Sequence, residues 1–227
     1  MSQGAGLVVL ISGRGSNMSA LACAFEQGLL PEPIKAVISD RSNAAGLNRA
    51  AEHGIDHVCI DRSNHQDQSS FEVSLSAAID GYAPRYVVMA GFMRVLSADF
   101  VNQRLGRMIN IHPSLLPKHR GLHTHRNVLA AGEDEHGSSV HFVTPALDGG
   151  PVISQARISV QANDTPDTLA ARLLPIEHRL LVQTTALLLR ETVVVRDEKI
   201  YVNNHALESP LDLQHDFADL GVNHQPV

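Results

Sequence analysis

An amide and an imidazole stand two residues apart at the end of an apolar segment. Residues 108–112 read MINIH, and Pro113 follows directly. Alternate side chains of a strand point to opposite faces, so Asn110 and His112 share one face. A strand inside a parallel sheet is normally apolar on both faces, and ligands bind beyond its carboxyl end. The pattern therefore predicts that both side chains face a crevice, while Pro113 ends the strand.

These two residue types suit the addition of a nucleophile to a carbonyl group. The amide of Asn110 can donate a hydrogen bond to a developing oxyanion, and the imidazolium of His112 can do the same or transfer a proton. The sequence has no Gly-x-Ser-x-Gly motif, and neither Cys23 nor Cys59 is near a sequence partner that would activate it. We therefore expect the nucleophile to belong to a substrate, in an acyl-type transfer between two bound molecules.

A carboxylate in a glycine-flanked segment is the third candidate. Asp148 lies in ALDGG, at residues 146–150. Within hydrogen-bond reach of His112, its negative charge would raise the pKa of the imidazole. The same segment is also typical of a hairpin turn with no catalytic role, and both interpretations stay open at this point.

A glycine-rich turn follows the first apolar run. In the segment SGRGSN, Gly15, Ser16 and Asn17 stand where a helix should begin. The free backbone amides and the dipole of such a helix attract a phosphate group. A dinucleotide site is the alternative, with Asp40 as the ribose ligand, but Met18 occupies the position of its third glycine. A phosphate monoester fits the turn better, and a tight turn without a ligand also stays open.

Apolar runs and amphipathic segments alternate along the first half of the chain. Strands are expected at 7–12, 34–40, 57–60, 86–90 and 108–112, and helices at 17–27, 44–53, 69–80 and 97–105. This alternation predicts an α/β fold with a mostly parallel, Rossmann-like open sheet flanked by helices. The second half predicts antiparallel strands at 138–143 and 151–160, a helix at 165–190 that Pro175 kinks or splits, and a hairpin at 192–202.

Composition limits the classes of partner. The 227 residues carry 18 Lys and Arg against 24 Asp and Glu, a net charge of −6, which argues against binding to a nucleic-acid backbone. Apolar runs fall short of the roughly 20 residues of a membrane span, and the amino terminus shows no signal-peptide pattern. Two cysteines without a disulfide framework favour a cytoplasmic location. The histidines lack the spacing of metal ligands, so no metal is expected.

Six segments together resemble a known enzyme family. VLISGRGSN, AGFMRVLS, NIHPSLLP, GLHTH, HGSSVHFV and LDGGPVI occur in the order and spacing of the folate-dependent formyltransferases, in particular the phosphoribosylglycinamide formyltransferases. The resemblance covers about residues 7–180. It implies transfer of the formyl group of 10-formyltetrahydrofolate, as co-substrate, to the amine of glycinamide ribonucleotide in purine biosynthesis. It also implies small-molecule substrates and either a monomer or a homodimer.

The resemblance assigns a role to each matching residue. Asn110 would bind the formyl oxygen, His112 would donate the proton, and Asp148 would raise the pKa of His112. Gly15, Ser16 and Asn17 would hold the substrate phosphate, Glu177 would approach its ribose, and Gln68, Met93, Arg94, Val95, Leu96 and Asn110 would contact the folate.

Two positions depart from the pattern of the family. Gln68 stands where relatives often have an arginine for the acidic tail of the folate, so that contact is in question. Arg120 stands where relatives often have a proline, and it would add a positive charge nearby. We expect one domain over residues 1–208, with a phosphate-binding lobe at about 1–105, a folate-binding and catalytic lobe at about 106–208, and a flexible tail at 209–227.

Other functions fit the sequence less well. A methionyl-tRNA formyltransferase would need a further carboxyl-terminal domain and a basic surface, and a formyltetrahydrofolate hydrolase usually has an amino-terminal regulatory domain. A silent phosphate- or folate-binding module would not need Asn110, His112 and Asp148 together. A nicotinamide-dependent dehydrogenase disagrees with Met18 in the glycine turn.

Overall fold

The computed structural model describes residues 5–213 and residue 215. The chain forms two compact units, and the division between them falls between Asn110 and Ile111. This division lies inside the MINIH strand, so Asn110 belongs to the first unit and His112 to the second. In the described part of the chain, the helices are too short or too polar to cross a membrane.

The first unit contains four whole parallel strands and the first part of a fifth. They are β1 (Leu7–Ile11), β2 (Ile34–Ser39), β3 (Asp56–Cys59), β4 (Tyr86–Met89) and β5 (Met108–His112), in the spatial order β5-β4-β1-β2-β3. All residues of β1 and β4 are buried, as expected for strands with neighbours on both sides and covered faces. The predicted parallel α/β sheet is thereby confirmed.

Helices connect these strands as the sequence predicts. They are α1 (Ser16–Glu26), α2 (Ala45–Glu52), α3 (Gln68–Tyr82) and α4 (Ala98–Asn102), with a short 3-10 helix at Arg62–Asn64. Asp67 begins α3 with a capping box, and Ser97 caps α4, because its hydroxyl accepts a hydrogen bond from the Phe100 amide. The helix α1 packs against β2 and α2, and α2 packs against β2 and β3.

The second unit is mainly antiparallel. Its strands are β6 (Glu135–Phe142), β7 (Val152–Ser159), β8 (Val193–Arg196), β9 (Lys199–Val202), β10 (His205–Ala206) and β11 (Leu211–Asp212), and its helices are α5 (Thr124–Ala130) and α6 (Pro166–Arg190). The strands β6 and β7 pair antiparallel, β11 joins β7 in parallel, and β8, β9 and β10 form a separate antiparallel sheet. The segment predicted to be a flexible tail thus begins with a strand. Residue 214 and residues 216–227 of that segment lie outside the described residues.

The longest helix of the second unit passes through a proline. Thr165 and Thr168 form a capping box at the start of α6, and Pro166 occupies its first position. The helix continues through Pro175 to Arg190, so the predicted alternative of two separate segments is wrong. Every residue from Leu180 to Leu189 is buried, and α6 packs against β6 and β7. Burial of several leucines outweighs the roughly 3 kcal/mol that a proline costs inside a helix.

Two histidines, one on α5 and one on β6, form a hydrogen-bonded pair. His125 Nδ1 lies 2.8 Å from His136 Nε2, and His136 is fully buried. Within the described residues, the other ring nitrogen of His136 has no hydrogen-bond partner. Burial, followed by repulsion from a charged His125, lowers the pKa of His136 to about 4. Burial is also the main cause that lowers the pKa of His125. Both rings are therefore neutral at pH 7.

We expect His136 to make folding sensitive to mild acid. The unfolded chain binds the proton with a pKa near 6.5, so the contribution of this group to stability is complete above about pH 6.5 and falls as the pH decreases towards 4. Urea unfolding across this range should show that wild type loses about 2 to 3 kcal/mol more than His136→Gln. The exposed histidine variant His205→Gln is the control and should follow wild type. Parallel curves for wild type and His136→Gln would contradict the assignment.

Two glycines bring the turn after β1 against the start of α2. The Gly46 amide donates to the Gly13 carbonyl at 2.9 Å. A Cβ added to Gly46 would collide with the Ile11 side chain and would lie 3.0 Å from Gly15 Cα. Gly15 itself has φ of 73°, a left-handed conformation that favours glycine. The turn and α2 can approach this closely only because neither residue carries a side chain.

Gly46→Ala should therefore destabilise the first unit. The added methyl group meets backbone atoms that cannot rotate away, and overpacking of this kind costs about 1 to 3 kcal/mol. Gly13→Ala is the matched control, since a Cβ there meets nothing within 4 Å. Urea unfolding midpoints compare the two variants. Equal midpoints would show that the close contact does not limit this position.

Candidate active site

The turn after β1 leads directly into the start of α1. Gly15 is the residue before the helix, and Ser16 and Asn17 are its first two residues. The first amides of a helix have no carbonyl partner within the helix, and the first turn of α1 contains no acidic residue. Among the described residues, the buried Asn17 Oδ1 finds no hydrogen-bond donor. The amides at this helix start are thus suited to an anion, whereas Asn17 Oδ1 can only accept a hydrogen bond.

The segment after β4 is bound to this turn. The Ser12 amide donates to the Gly91 carbonyl at 3.0 Å, and the Ser12 hydroxyl accepts from the Met93 amide at 2.8 Å. Because β1 and β4 are neighbouring parallel strands, both segments leave the sheet at its carboxyl end. This is the edge at which ligands bind in open α/β sheets.

Four of the residues predicted to contact folate surround one small cavity. A cavity of about 290 Å³ is lined by Arg62, Gln68, Phe71, Glu72, Met93, Arg94 and Val95. The Gln68 amide donates to the Val95 carbonyl at 3.2 Å and to Glu72 at 2.8 Å. Leu96, the fifth of the six, is buried and follows them directly in the chain, and Asn110, the sixth, does not line this cavity. Gln68 therefore supports the backbone of this segment, and Arg62 adds a cation to the cavity wall.

Arg94 is held by a buried carboxylate. Its Nε lies 2.6 Å from Asp40 Oδ2, at the end of β2. Asp40 is 1% exposed, and its second oxygen has no hydrogen-bond partner within the described residues. Asp40, which would be the ribose ligand of a dinucleotide site, thus orients Arg94 instead. This interaction joins positions 54 residues apart in the chain.

Asn110 and His112 lie at the carboxyl end of the MINIH strand, β5, as predicted. Asn110 is half-buried and aligns with Met89 of β4, whereas His112 is 6% exposed. His112 Nε2 lies 3.0 Å from the His119 carbonyl, and Nδ1 lies 3.6 Å from Asp148 Oδ2. Both ring nitrogens therefore face oxygen acceptors, and only the doubly protonated ring can donate to both.

Asp148 lies between two imidazoles. Its Oδ2 accepts a hydrogen bond from the Gly121 amide at 2.8 Å, and its Oδ1 lies 3.7 Å from His141 Nε2. The side chain of Asp148 is only 10% exposed, and its φ of 45° is left-handed. The LDGG segment therefore does form a turn, and that turn aims the carboxylate at His112. The predicted turn is thus confirmed, and the catalytic role of Asp148 stays a prediction.

His141 is a member of this cluster that the sequence reasoning missed. It is 2% exposed in β6, and its Nδ1 donates to the Phe142 carbonyl at 2.9 Å. Burial is the largest cause that lowers the pKa of His141, against the opposing effects of that carbonyl and of Asp148. A histidine inside the otherwise apolar run VHFV was the available signal, of the same kind as Asn110 in MINIH.

The remaining assigned residues divide between the units. Glu177 is buried in α6, the helix that packs on β6 and β7. A Cβ added to Gly149 would lie 3.4 Å from Arg120 Nη1, so the Arg120 guanidinium stands beside the LDGG turn. Gly15, Ser16, Asn17, Gln68 and residues 93–96 belong to the first unit, and His112, Asp148 and Glu177 belong to the second.

Similarity to known proteins is high along most of the chain. Residues 5–185 match the family described as formyl transferase. The phosphoribosylglycinamide formyltransferase of Escherichia coli (strain K12) is 48% identical over 174 residues, which are 77% of this chain and 82% of that protein. The trifunctional purine biosynthetic protein adenosine-3 of Drosophila pseudoobscura pseudoobscura is 40% identical, over 80% of this chain but only 14% of its own length.

Solved structures agree with this. The phosphoribosylglycinamide formyltransferase of Coxiella burnetii, in complex with CHES, matches with a TM-score of 0.88 and 43% identity, over 92% of this chain and 99% of that one. A match of this extent includes both the parallel and the antiparallel parts of the fold. On its sequence and on its fold, the chain belongs to the formyl transferase family.

Proposed function

We propose that this chain transfers the formyl group of 10-formyltetrahydrofolate to the amine of glycinamide ribonucleotide, a step of purine biosynthesis. The observation that carries the proposal is the buried contact between His112 and Asp148, in a chain whose relatives are named phosphoribosylglycinamide formyltransferases. An imidazole held against a carboxylate is a suitable proton donor for a carbonyl addition.

The reaction would proceed by direct attack of the amine. The nitrogen of the substrate adds to the formyl carbon, and the carbonyl oxygen takes up the negative charge. The Asn110 amide and the His112 imidazolium donate hydrogen bonds to that oxygen, which lowers the barrier. His112 would do so through Nε2, in place of its hydrogen bond to the His119 carbonyl. Asp148 stabilises the imidazolium by its opposite charge. The carbonyl re-forms as the bond from carbon to the folate nitrogen breaks, this nitrogen takes a proton from His112, and the former amine gives its surplus proton back to His112.

The binding assignments follow the same proposal. The amides of residues 15–17 would hold the substrate phosphate, and Glu177 would approach the ribose. The folate would lie against Gln68 and residues 93–96, where the Arg94 guanidinium and the neighbouring Arg62 offer positive charge to its acidic tail. A cytoplasmic location is part of the proposal, supported by the free thiols of Cys23 and Cys59.

Removal of the reacting groups tests the reaction. Asn110→Ala and His112→Ala should each lower kcat for formyl transfer about a hundred- to a thousandfold, because each removes a donor to the oxyanion. Asp148→Asn should also lower kcat, since it keeps the shape of the side chain but removes the charge. The exposed variant His57→Ala is the control and should retain wild-type kcat. A thermal melt of each variant separates loss of chemistry from loss of folding.

The outcome also distinguishes the alternatives. Purified wild-type chain should form formylated product only when both 10-formyltetrahydrofolate and glycinamide ribonucleotide are present. Release of formate without the ribonucleotide, at a comparable rate, would indicate a hydrolase instead. Binding of both ligands without any product would indicate a silent binding module.

Asp40→Asn should weaken folate binding more than it slows the reaction. The variant keeps an acceptor for Arg94 but removes the charge, so the guanidinium is held less firmly at the cavity wall. We expect KM for the folate to rise about tenfold, equivalent to roughly 1.4 kcal/mol, with kcat within about twofold of wild type. Asp56→Asn is the control, because Asp56 is an exposed carboxylate at the start of β3. An unchanged KM would show that Arg94 needs no such support.

A further inference from the structure

A thiol, a carboxylate and an imidazole meet between α1 and α2 in the first unit. Cys23 and Glu26 are three positions apart on α1, which places them on one face of that helix. His53 is the residue that ends α2. One sulfur, one oxygen and one nitrogen atom of the three side chains all lie within 4.8 Å of one another. The residues assigned to formyl transfer do not include any of the three.

We propose that Cys23, Glu26 and His53 form a binding site for a zinc ion. Zinc accepts sulfur, nitrogen and oxygen ligands in a tetrahedron, with bonds of about 2.0 to 2.3 Å that set its ligand atoms roughly 3.3 to 3.8 Å apart. The three donor atoms, all within 4.8 Å of one another, are thus within roughly 1.5 Å of the required spacing. Magnesium and calcium prefer oxygen ligands alone, so a thiol and an imidazole select against them. Water would complete the tetrahedron at the open side.

Two of the ligands are already held in position. His53 Nδ1 lies 2.8 Å from Glu26 Oε1, and the His53 side chain is only 20% exposed. The backbone amide of His53 donates to the Arg49 carbonyl at 3.1 Å, which fixes the residue at the end of α2. The Glu26 side chain is 54% exposed and can rotate to make room for the ion. Only small side-chain movements would therefore accompany binding.

The start and the end of the helix pair are fixed in different ways. At the start, the Gly46 amide bonds to Gly13, and a Cβ at Gly15 would lie 2.7 Å from Gly46 Cα, so the two backbones are in contact. At the other end, the side chains of Glu26 and His53 are hydrogen-bonded to each other. Within the described residues, no backbone hydrogen bond joins the two helices at this end. An ion bound there would supply a link between them. Zinc should therefore stabilise the folded first unit.

The charges of the bound state balance. On binding, the Cys23 thiol releases its proton to solvent, Glu26 binds as the carboxylate, and His53 binds as the neutral imidazole. The two negative ligands neutralise the double charge of the ion, and the hydrogen bond between His53 and Glu26 is replaced by bonds to the metal. Because a proton leaves, affinity should fall as the pH is lowered.

Cys59 provides a matched control within the same unit. It is the other free, exposed cysteine. Burial and the nearby charges of Asp61 and Asp40 raise the pKa of its thiol, which disfavours the thiolate that a metal needs. Among the described residues, Cys59 belongs to no group of three metal-ligating side chains.

Metal titration of the full chain tests the proposal. Chain stripped of metal with a chelator is titrated with Zn²⁺ by calorimetry, and with Co²⁺ while the sulfur-to-cobalt charge-transfer absorption is recorded. Wild type and Cys59→Ser should bind one equivalent and show the absorption. Cys23→Ser should lose the absorption and bind zinc at least tenfold more weakly, and His53→Gln should also bind at least tenfold more weakly. Zinc should raise the melting temperature of wild type but not that of Cys23→Ser.

Three results would overturn the site. One is wild type without the thiolate absorption, which would mean that the thiol is not a ligand. Another is Cys23→Ser with wild-type zinc affinity, which would place binding at other histidines. The third is loss of the absorption in Cys59→Ser, which would assign the thiolate to the wrong cysteine. Far-ultraviolet circular dichroism verifies that each variant is folded before titration, so a weak signal cannot be a consequence of unfolding.

Discussion

The second unit depends on a carboxylate that is nearly removed from water. An ionised side chain in such a place is unfavourable unless charges or hydrogen-bond donors surround it. Asp148 is surrounded by the Gly121 amide and the two imidazoles of His112 and His141. These three partners come from the segment after β5, from β5 itself and from β6. These contacts tie three separate pieces of backbone to one carboxylate, whose own residue has a left-handed φ of 45°.

The first unit achieves order at its ligand edge by a different means. There the contacts are mostly between backbone and short side chains, as in the two hydrogen bonds of Ser12 to the segment after β4. The longer side chains, Arg94 and Gln68, are bound at their polar ends to Asp40, Val95 and Glu72. The segments that carry the proposed ligand contacts are loops, but rigid strands and specific hydrogen bonds fix their positions.

Much of this architecture is readable from local pattern. The strand LVVLI and the helix starts at Ser97 and Thr165 follow from burial and capping, which act over a few residues. Asn110, His112 and Asp148 stand out because polar groups interrupt apolar or glycine-rich segments. Features that depend on contacts between residues far apart in the chain could not be predicted from the sequence. The ion pair of Asp40 with Arg94, the parallel strand β11 and the unbroken passage of α6 through Pro175 each depend on partners far along the chain.

His141 is a polar residue of a buried strand that the sequence pattern did not single out. Its position in β6 has the same anomaly as Asn110, a polar side chain inside an apolar run, yet the strand around it also contains serines that make it less conspicuous. Its role became visible only through Asp148, which lies seven positions later in sequence and faces it across a turn. Polar residues in buried strands should therefore be considered as sets, because each can supply the partner that another needs.

The approach of Gly15 to Gly46 has a consequence for how this chain can change. When two large side chains collide, a mutation that enlarges one can be rescued by a mutation that shrinks the other. Here both residues are already the smallest available, so a second substitution at the pair cannot restore the space that a first one fills. Variation at either position would need a shift of the backbone of α2 itself, and any such shift would also move the end of that helix where His53 meets Glu26.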